Sequence, residues 1–133
     1  MTSESEYLLA LYILEQRSSP PVSSGDLATF LDRSPAATTE MIQRLEAKDL
    51  VSYEPYEGAS LTPSGCEQAE ALHETYVTLS WFFRAVLDLD AYEREAMRMA
   101  GLVSPLVTDR LAETLMSTDG VRDEVDTPSS DSQ

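Results

Sequence analysis

Cysteine is almost missing from this 133-residue chain. The one residue, Cys66, excludes an internal disulfide framework and points to a reducing compartment. Lysine is as rare, with Lys48 alone, and all basic residues together number 9 against 24 acidic ones. The resulting net charge of −15 speaks against nucleic acid as a partner, because nucleic-acid binders show a basic footprint. No apolar run reaches the roughly 18 residues needed to cross a bilayer, so no membrane span is expected. The N-terminus, MTSESEYLLALYILEQ, lacks the basic start and small-residue cleavage site of a signal peptide, and a cytoplasmic location follows. With a single histidine and no Gly-rich phosphate loop, nucleophile elbow or zinc pattern, nothing marks an enzyme. The 42% hydrophobic content nevertheless supplies a real core, and the length allows one domain or one with an extension.

What is present reads first as helix. Tyr7, Leu8, Leu11, Tyr12 and Leu14 recur at helical spacing between Glu4 and Gln16, and Pro20-Pro21 ends that helix. Ser23 is an N-cap with Asp26 three residues on, opening a helix through Leu31 that buries Leu27, Phe30 and Leu31. Ser34-Pro35 restarts the chain as N-cap and first helical residue, with Ala37, Met41, Ile42 and Leu45 expected inward. Two helices joined by so short a turn form a helix-turn-helix. Residues 50–62 then carry two β-prone pieces around Glu54-Pro55-Tyr56-Glu57-Gly58, a hairpin with a loop longer than the tightest kind. Helix-turn-helix plus hairpin makes a winged helix.

Thr62-Pro63 caps the longest helix, to about Leu87, with an apolar stripe of Ala69, Leu72, Tyr76, Leu79, Phe83 and Val86. Asp90 is expected to cap the next helix, which ends near Ala100-Gly101. Ser104-Pro105 opens a last one, with Leu106, Val107, Leu111 and Leu115 on one side. The fold class is therefore mainly α: a winged helix-turn-helix over 1–64, a three-helix dimerisation domain over 65–118 and a disordered acidic tail over 119–133.

The second helix of a helix-turn-helix offers its N-terminal residues to the major groove. Here these are Ser34, Pro35, Ala36, Thr38, Thr39 and Gln43. Small side chains admit the backbone, threonine methyls meet thymine methyls and Gln43 pairs with adenine or touches phosphate. Arg33, Arg44 and Lys48 flank this helix as phosphate contacts, and the wing hydroxyls of Tyr53 and Tyr56 add two more.

The residues that carry these features also resemble a known family. EYLLALYILEQ, SPAATTEMIQRL and LVSYEPYEGASLTPSG are similar to the metal-dependent repressors of the diphtheria toxin repressor and manganese transport regulator type. The chain resembles a short form without a third, SH3-like domain. Asp49 stands where the family usually has glycine, and Glu57 where the wing often carries Arg or Lys. The resemblance covers residues 5–116 and implies a homodimer, a palindromic double-stranded operator and Mn2+ or Fe2+ as corepressor. The metal ligands carry over poorly. The family's ligand positions fall on Glu6, Tyr76, Ser80, Glu93, Met97, Ala100 and Gly101, and only Glu6 and Glu93 are plausible ligands. A thioether suits hard divalent metals badly, and Ala100 and Gly101 offer no donor. The expectation is a regulator, a repressor by family, whose primary metal site is degenerate. Two alternatives stand beside it: an interaction module without DNA contact, and a zinc or redox sensor built on Cys66, Glu70 and His73, which share one helix face.

Even the first 66 residues are acidic, with 4 basic and 10 acidic side chains. Together with the single lysine, this fits a halophilic source. In a salty cytoplasm counterion release is worth little, and recognition rests on base contacts and shape.

Overall fold

A computed structural model describes residues 3–114, which form six helices and one β-hairpin. Residues 115–133, including Leu115 and the expected acidic tail, lie outside the described residues.

Helix α1 (Glu4–Arg17) begins with a complete capping box. The Glu6 amide donates to the Ser3 hydroxyl at 3.2 Å, and the Ser3 amide donates to the Glu6 carboxylate at 3.3 Å. The helix ends at Ser18, ahead of Pro20 and Pro21. One apolar face was expected. Instead Tyr7, Leu8, Leu9, Ala10, Leu11 and Ile13 are all buried, so both sides of α1 face protein. The cause is tertiary: α2 and α3 pack on one side, and α4 and α5 on the other.

Helices α2 (Ser24–Leu31) and α3 (Pro35–Ala47) are capped by Ser23 and Ser34, whose hydroxyls accept from the Asp26 and Ala37 amides at 3.0 and 3.1 Å. Between them Asp32 takes a left-handed conformation (φ 55°), which turns the chain in three residues. Leu27 is fully buried, whereas Phe30 and Leu31 are half-buried.

Strands β1 (Val51–Glu54) and β2 (Gly58–Leu61) pair antiparallel from Val51 opposite Leu61 to Glu54 opposite Gly58, leaving Pro55-Tyr56-Glu57 as the wing tip. A contact not foreseen from the sequence joins this hairpin to the chain before α2. Val22 and Ala59 exchange two backbone hydrogen bonds, each 2.8 Å. Gly58 permits it: φ is +135°, and a Cβ there would lie 2.2 Å from the Val22 carbonyl oxygen. Glu15 of α1 also accepts the Leu61 amide at 2.8 Å, fixing the wing to the helical core.

Asp49 has φ 62°. The family's usual glycine at this place is thus a backbone requirement, and aspartate is one of the few substitutes that tolerate it.

Helix α4 (Pro63–Ala85) starts at the Thr62 cap, so the expected domain division at 64/65 falls inside its first turn. Its stripe is buried at Ala69, Leu79 and Phe83, while Val86 is exposed. Helix α5 (Tyr92–Ala100) corrects the sequence reading: its N-cap is Ala91, without a side-chain hydrogen bond. Asp90 sits one residue too early to cap and lines a surface cavity instead. The last described helix, α6 (105–114), is capped by Ser104 and anchored by a buried Thr75–Thr108 hydroxyl contact of 3.2 Å. Its Leu106 and Val107 point to solvent, contrary to the expected apolar side, whereas Leu111 packs on the Leu79–Phe83 cluster.

Candidate nucleic-acid interface and the degenerate metal positions

Helix α3 is seated through Met41, Ile42 and Leu45, each buried. Fully burying such side chains contributes roughly 1.5–3 kcal/mol apiece. The same face holds Thr38, which is 0% exposed, with its hydroxyl 3.4 Å from that of Tyr7, itself 1% exposed. This overturns the reading of Thr38 as a groove contact. The series 38, 41, 42 and 45 is the i, i+3, i+4, i+7 pattern of an inward stripe, and a threonine fits it because Tyr7 pairs its hydroxyl. Ala37, expected inward, is turned out by the same rotation.

The outward face therefore reads Pro35, Ala36, Ala37, Thr39, Glu40 and Gln43, all exposed. Ala37 and Glu40 join this face because Thr38 turns inward. The remaining candidates fall around this face. Arg33 and Ser34 lie in the turn before it, and Arg44 is exposed one turn further along. Lys48 is the C-cap residue, at the far end of α3, and its ammonium is 2.7 Å from the Glu4 carboxylate. On the wing, Tyr56 is fully exposed at the tip with φ 70°, and Tyr53 is half-buried on β1 with its amide donating to Glu46 at 3.2 Å. An open helix face flanked by a protruding tyrosine has the shape that enters a major groove while its wing follows the backbone.

The seven family metal positions lie on α1 (Glu6), on α4 (Tyr76 and Ser80) and on α5 with its C-cap (Glu93, Met97, Ala100 and Gly101). Glu6, Tyr76, Glu93 and Met97 do converge on one cavity of about 490 Å³ between α1, α4, α5 and the turn after α2. Convergence does not make them a donor set. The Glu6 carboxylate is engaged in the capping box. The Tyr76 hydroxyl is held above its ordinary pKa, chiefly by burial and then by the Glu93 charge, so it is a reluctant anionic ligand. The Ser80 hydroxyl, near enough to Tyr76 to favour its ionised form slightly, is buried without a hydrogen bond of good geometry. Ala100 is buried, and Gly101 presses on Ser5, where a Cβ would lie 2.5 Å away. Among the described residues no three His, Cys, Asp or Glu side chains are placed to hold a metal ion. The residues present do not fit divalent manganese or iron.

The same finding covers Cys66, Glu70 and His73. His73 is sandwiched between aromatic rings, 5.0 Å from Tyr12 and 5.8 Å from Tyr76. The Cys66 thiol is pushed above its usual pKa by burial, then by Glu70 and by Glu15, which disfavours the thiolate that zinc or an oxidant needs.

The helix-turn-helix and the hairpin after it define a winged helix, followed by α4, α5 and α6. The profile of the family described as "Iron dependent repressor, N-terminal DNA binding domain" matches residues 1–59. An uncharacterised HTH-type transcriptional regulator of Methanocaldococcus jannaschii is 31% identical over 110 residues, which is 83% of this chain and 86% of that protein. The transcriptional regulator MntR of Geobacillus thermodenitrificans is 33% identical over 85 residues, 63% of this chain and 59% of its own length. Among solved structures, the manganese regulator SloR superposes with a TM-score of 0.74 at 26% identity, over 86% of this chain and 54% of that one. The IdeR of T. acidophilum shares the fold (TM-score 0.75) at 17% identity, over 86% of this chain and 55% of its own. The chain thus spans little more than half the length of MntR and of both solved relatives. It belongs to the metal-dependent repressor family of the diphtheria toxin repressor and manganese transport regulator type, and it is a transcription regulator of that family. No described helix is long and apolar enough to cross a membrane.

Proposed function

We propose that this chain is a homodimeric repressor that binds a palindromic operator in the cytoplasm, without the family's primary metal switch. The observation that carries the reading is the outward face of α3. Small, uncharged residues stand at its N-terminus, over a seat formed by Thr38, Met41, Ile42 and Leu45. Thr39 and Gln43 read base edges, Arg33 and Arg44 meet phosphates, and Tyr56 places the wing on the backbone. Apolar side chains left exposed outside the winged helix support the dimer. Val86, Leu87 and Leu89 follow α4, and Leu102, Leu106 and Val107 lie beyond α5, with Leu102 84% exposed. So many exposed apolar side chains on a small domain offer a surface for a second copy.

The acidic charge sets the conditions. With 24 acidic residues in the chain, long-range attraction to DNA is weak or repulsive at low salt. Short contacts at α3 dominate once salt screens that repulsion. A mobility-shift assay in molar KCl, with genomic fragments from the source, tests the proposal. Wild type retards specific fragments, and Thr39→Glu abolishes the shift while leaving the fold intact. Equal behaviour of the two proteins refutes DNA reading through α3 and favours the interaction module.

A further inference from the structure

We infer that the cavity beneath the helix-turn-helix binds a small zwitterionic effector, a free α-amino acid, in place of the metal that its residues do not fit. Its lining departs from the rest of the chain in charge. Arg17, Arg33, Arg94 and Arg98 reach it, four of the 9 basic residues in the sequence. Four carboxylates, Glu6, Asp32, Asp90 and Glu93, face them. The lining is therefore balanced in a protein whose net charge is −15. Neither a metal cation nor a simple anion matches such a wall, since each would meet four like charges.

Both signs come from the same segments, Asp32 and Arg33 from the turn after α2 and Glu93 and Arg94 from α5. A ligand that carries an ammonium and a carboxylate on one carbon presents both charges that such a lining can pair. Guanidinium donors hold a carboxylate in a planar fork, and a carboxylate accepts from an ammonium. Arg17 is held beside the cavity by Phe30, its guanidinium 5.5 Å over that ring. The Arg98–Glu95 pair, at 3.4 Å and largely exposed, is weak enough to yield. Phe30, Leu31 and Met97 supply an apolar floor for a side chain.

The position gives the site its use. Phe30 to Arg33 are the end of α2 and the turn that leads into α3, whereas Asp90 to Arg98 belong to α5 and its approach. A ligand touching both ties the orientation of α3 to the dimerisation helices, so it biases the α3 geometry presented to DNA. Only that regulatory consequence rests on the DNA-binding reading. Occupancy of the site does not.

The test is amide chemical-shift titration of the full chain with each of the common L-amino acids in turn, without DNA. At least one is expected to give saturable shifts at one equivalent per chain, confined to the segments that line the cavity, around residues 6, 17, 30–33, 76 and 90–98. Its deaminated and decarboxylated analogues are expected to bind about tenfold or more weakly, as are Glu93→Gln and Arg94→Gln proteins. Arg94→Lys is expected to recover part of the loss, since it keeps the charge without the fork. No saturable binding by any amino acid overturns the inference. Equal binding of an analogue that carries one charge, or shifts that map elsewhere, overturns it as well.

Discussion

Replacing Thr38 by valine tests which side of α3 faces the groove. The substitution keeps the shape and swaps a hydroxyl for a methyl at a position that is 0% exposed, against a Tyr7 hydroxyl on a residue 1% exposed. The contact between the two oxygens is 3.4 Å, long for an O–H···O bond, so its own contribution is small. The larger effect is the phenol left unpaired in the core, which costs about 1–3 kcal/mol. We expect the low half of that range. It corresponds to a fall in Tm of about 3–6 °C per kcal/mol for a domain of this size, measured by thermal unfolding at one fixed protein concentration. Tyr7→Phe with Thr38→Val removes both hydroxyls together, and the double variant is expected to lose less than the sum of the two single ones. DNA binding, assayed well below Tm, stays within about twofold of wild type, because no groove contact has been touched. A Thr38→Val protein with unchanged Tm and no DNA binding would refute the orientation of α3 derived above.

Other expectations follow from single features. Gly58→Ala puts a Cβ 2.2 Å from the Val22 carbonyl oxygen at φ +135°, so it is expected to destabilise by roughly 2 kcal/mol or more, read by chemical denaturation. Cys66 and Tyr76 both hold their protons more tightly when folded, so the stability they contribute is complete below their unfolded pKa values. It falls as pH rises through the higher folded ones, from about pH 8.5 upward. A urea midpoint followed across that range should decline, and Cys66→Ser with Tyr76→Phe should flatten the decline. Calorimetric titration of metal-free protein with Mn2+ or Fe2+ is expected to show no micromolar site. Micromolar binding that disappears in Glu6→Ala would show that an altered form of the family site survives.

Much of the DNA-binding half was legible because its signals are local. Ser23, Ser34 and Thr62 cap the helices they precede, and the stretch from Leu50 to Thr62 holds the hairpin it reads as. The rotation of α3 was misread because threonine scores as polar, although its hydroxyl is satisfied by Tyr7, a residue 31 positions away. Nothing near Tyr7 in the chain announces that partner. The two-sided burial of α1, the Val22–Ala59 pairing and the Asp90 displacement share this origin, since each depends on a distant element closing over the site. The degenerate metal positions could be placed residue by residue from the motif alone. The mixed-charge cavity around them could not, because its arginines come from α1, the turn after α2 and α5.

The most direct test of the central claim is selection of duplexes from a random library by the full chain in molar KCl, followed by affinity measurement across salt. The account predicts an inverted repeat with half-sites about one helical turn apart, and an affinity that falls little or rises as KCl increases. Failure to enrich any sequence, or a steep loss of affinity with salt on the enriched one, would contradict it.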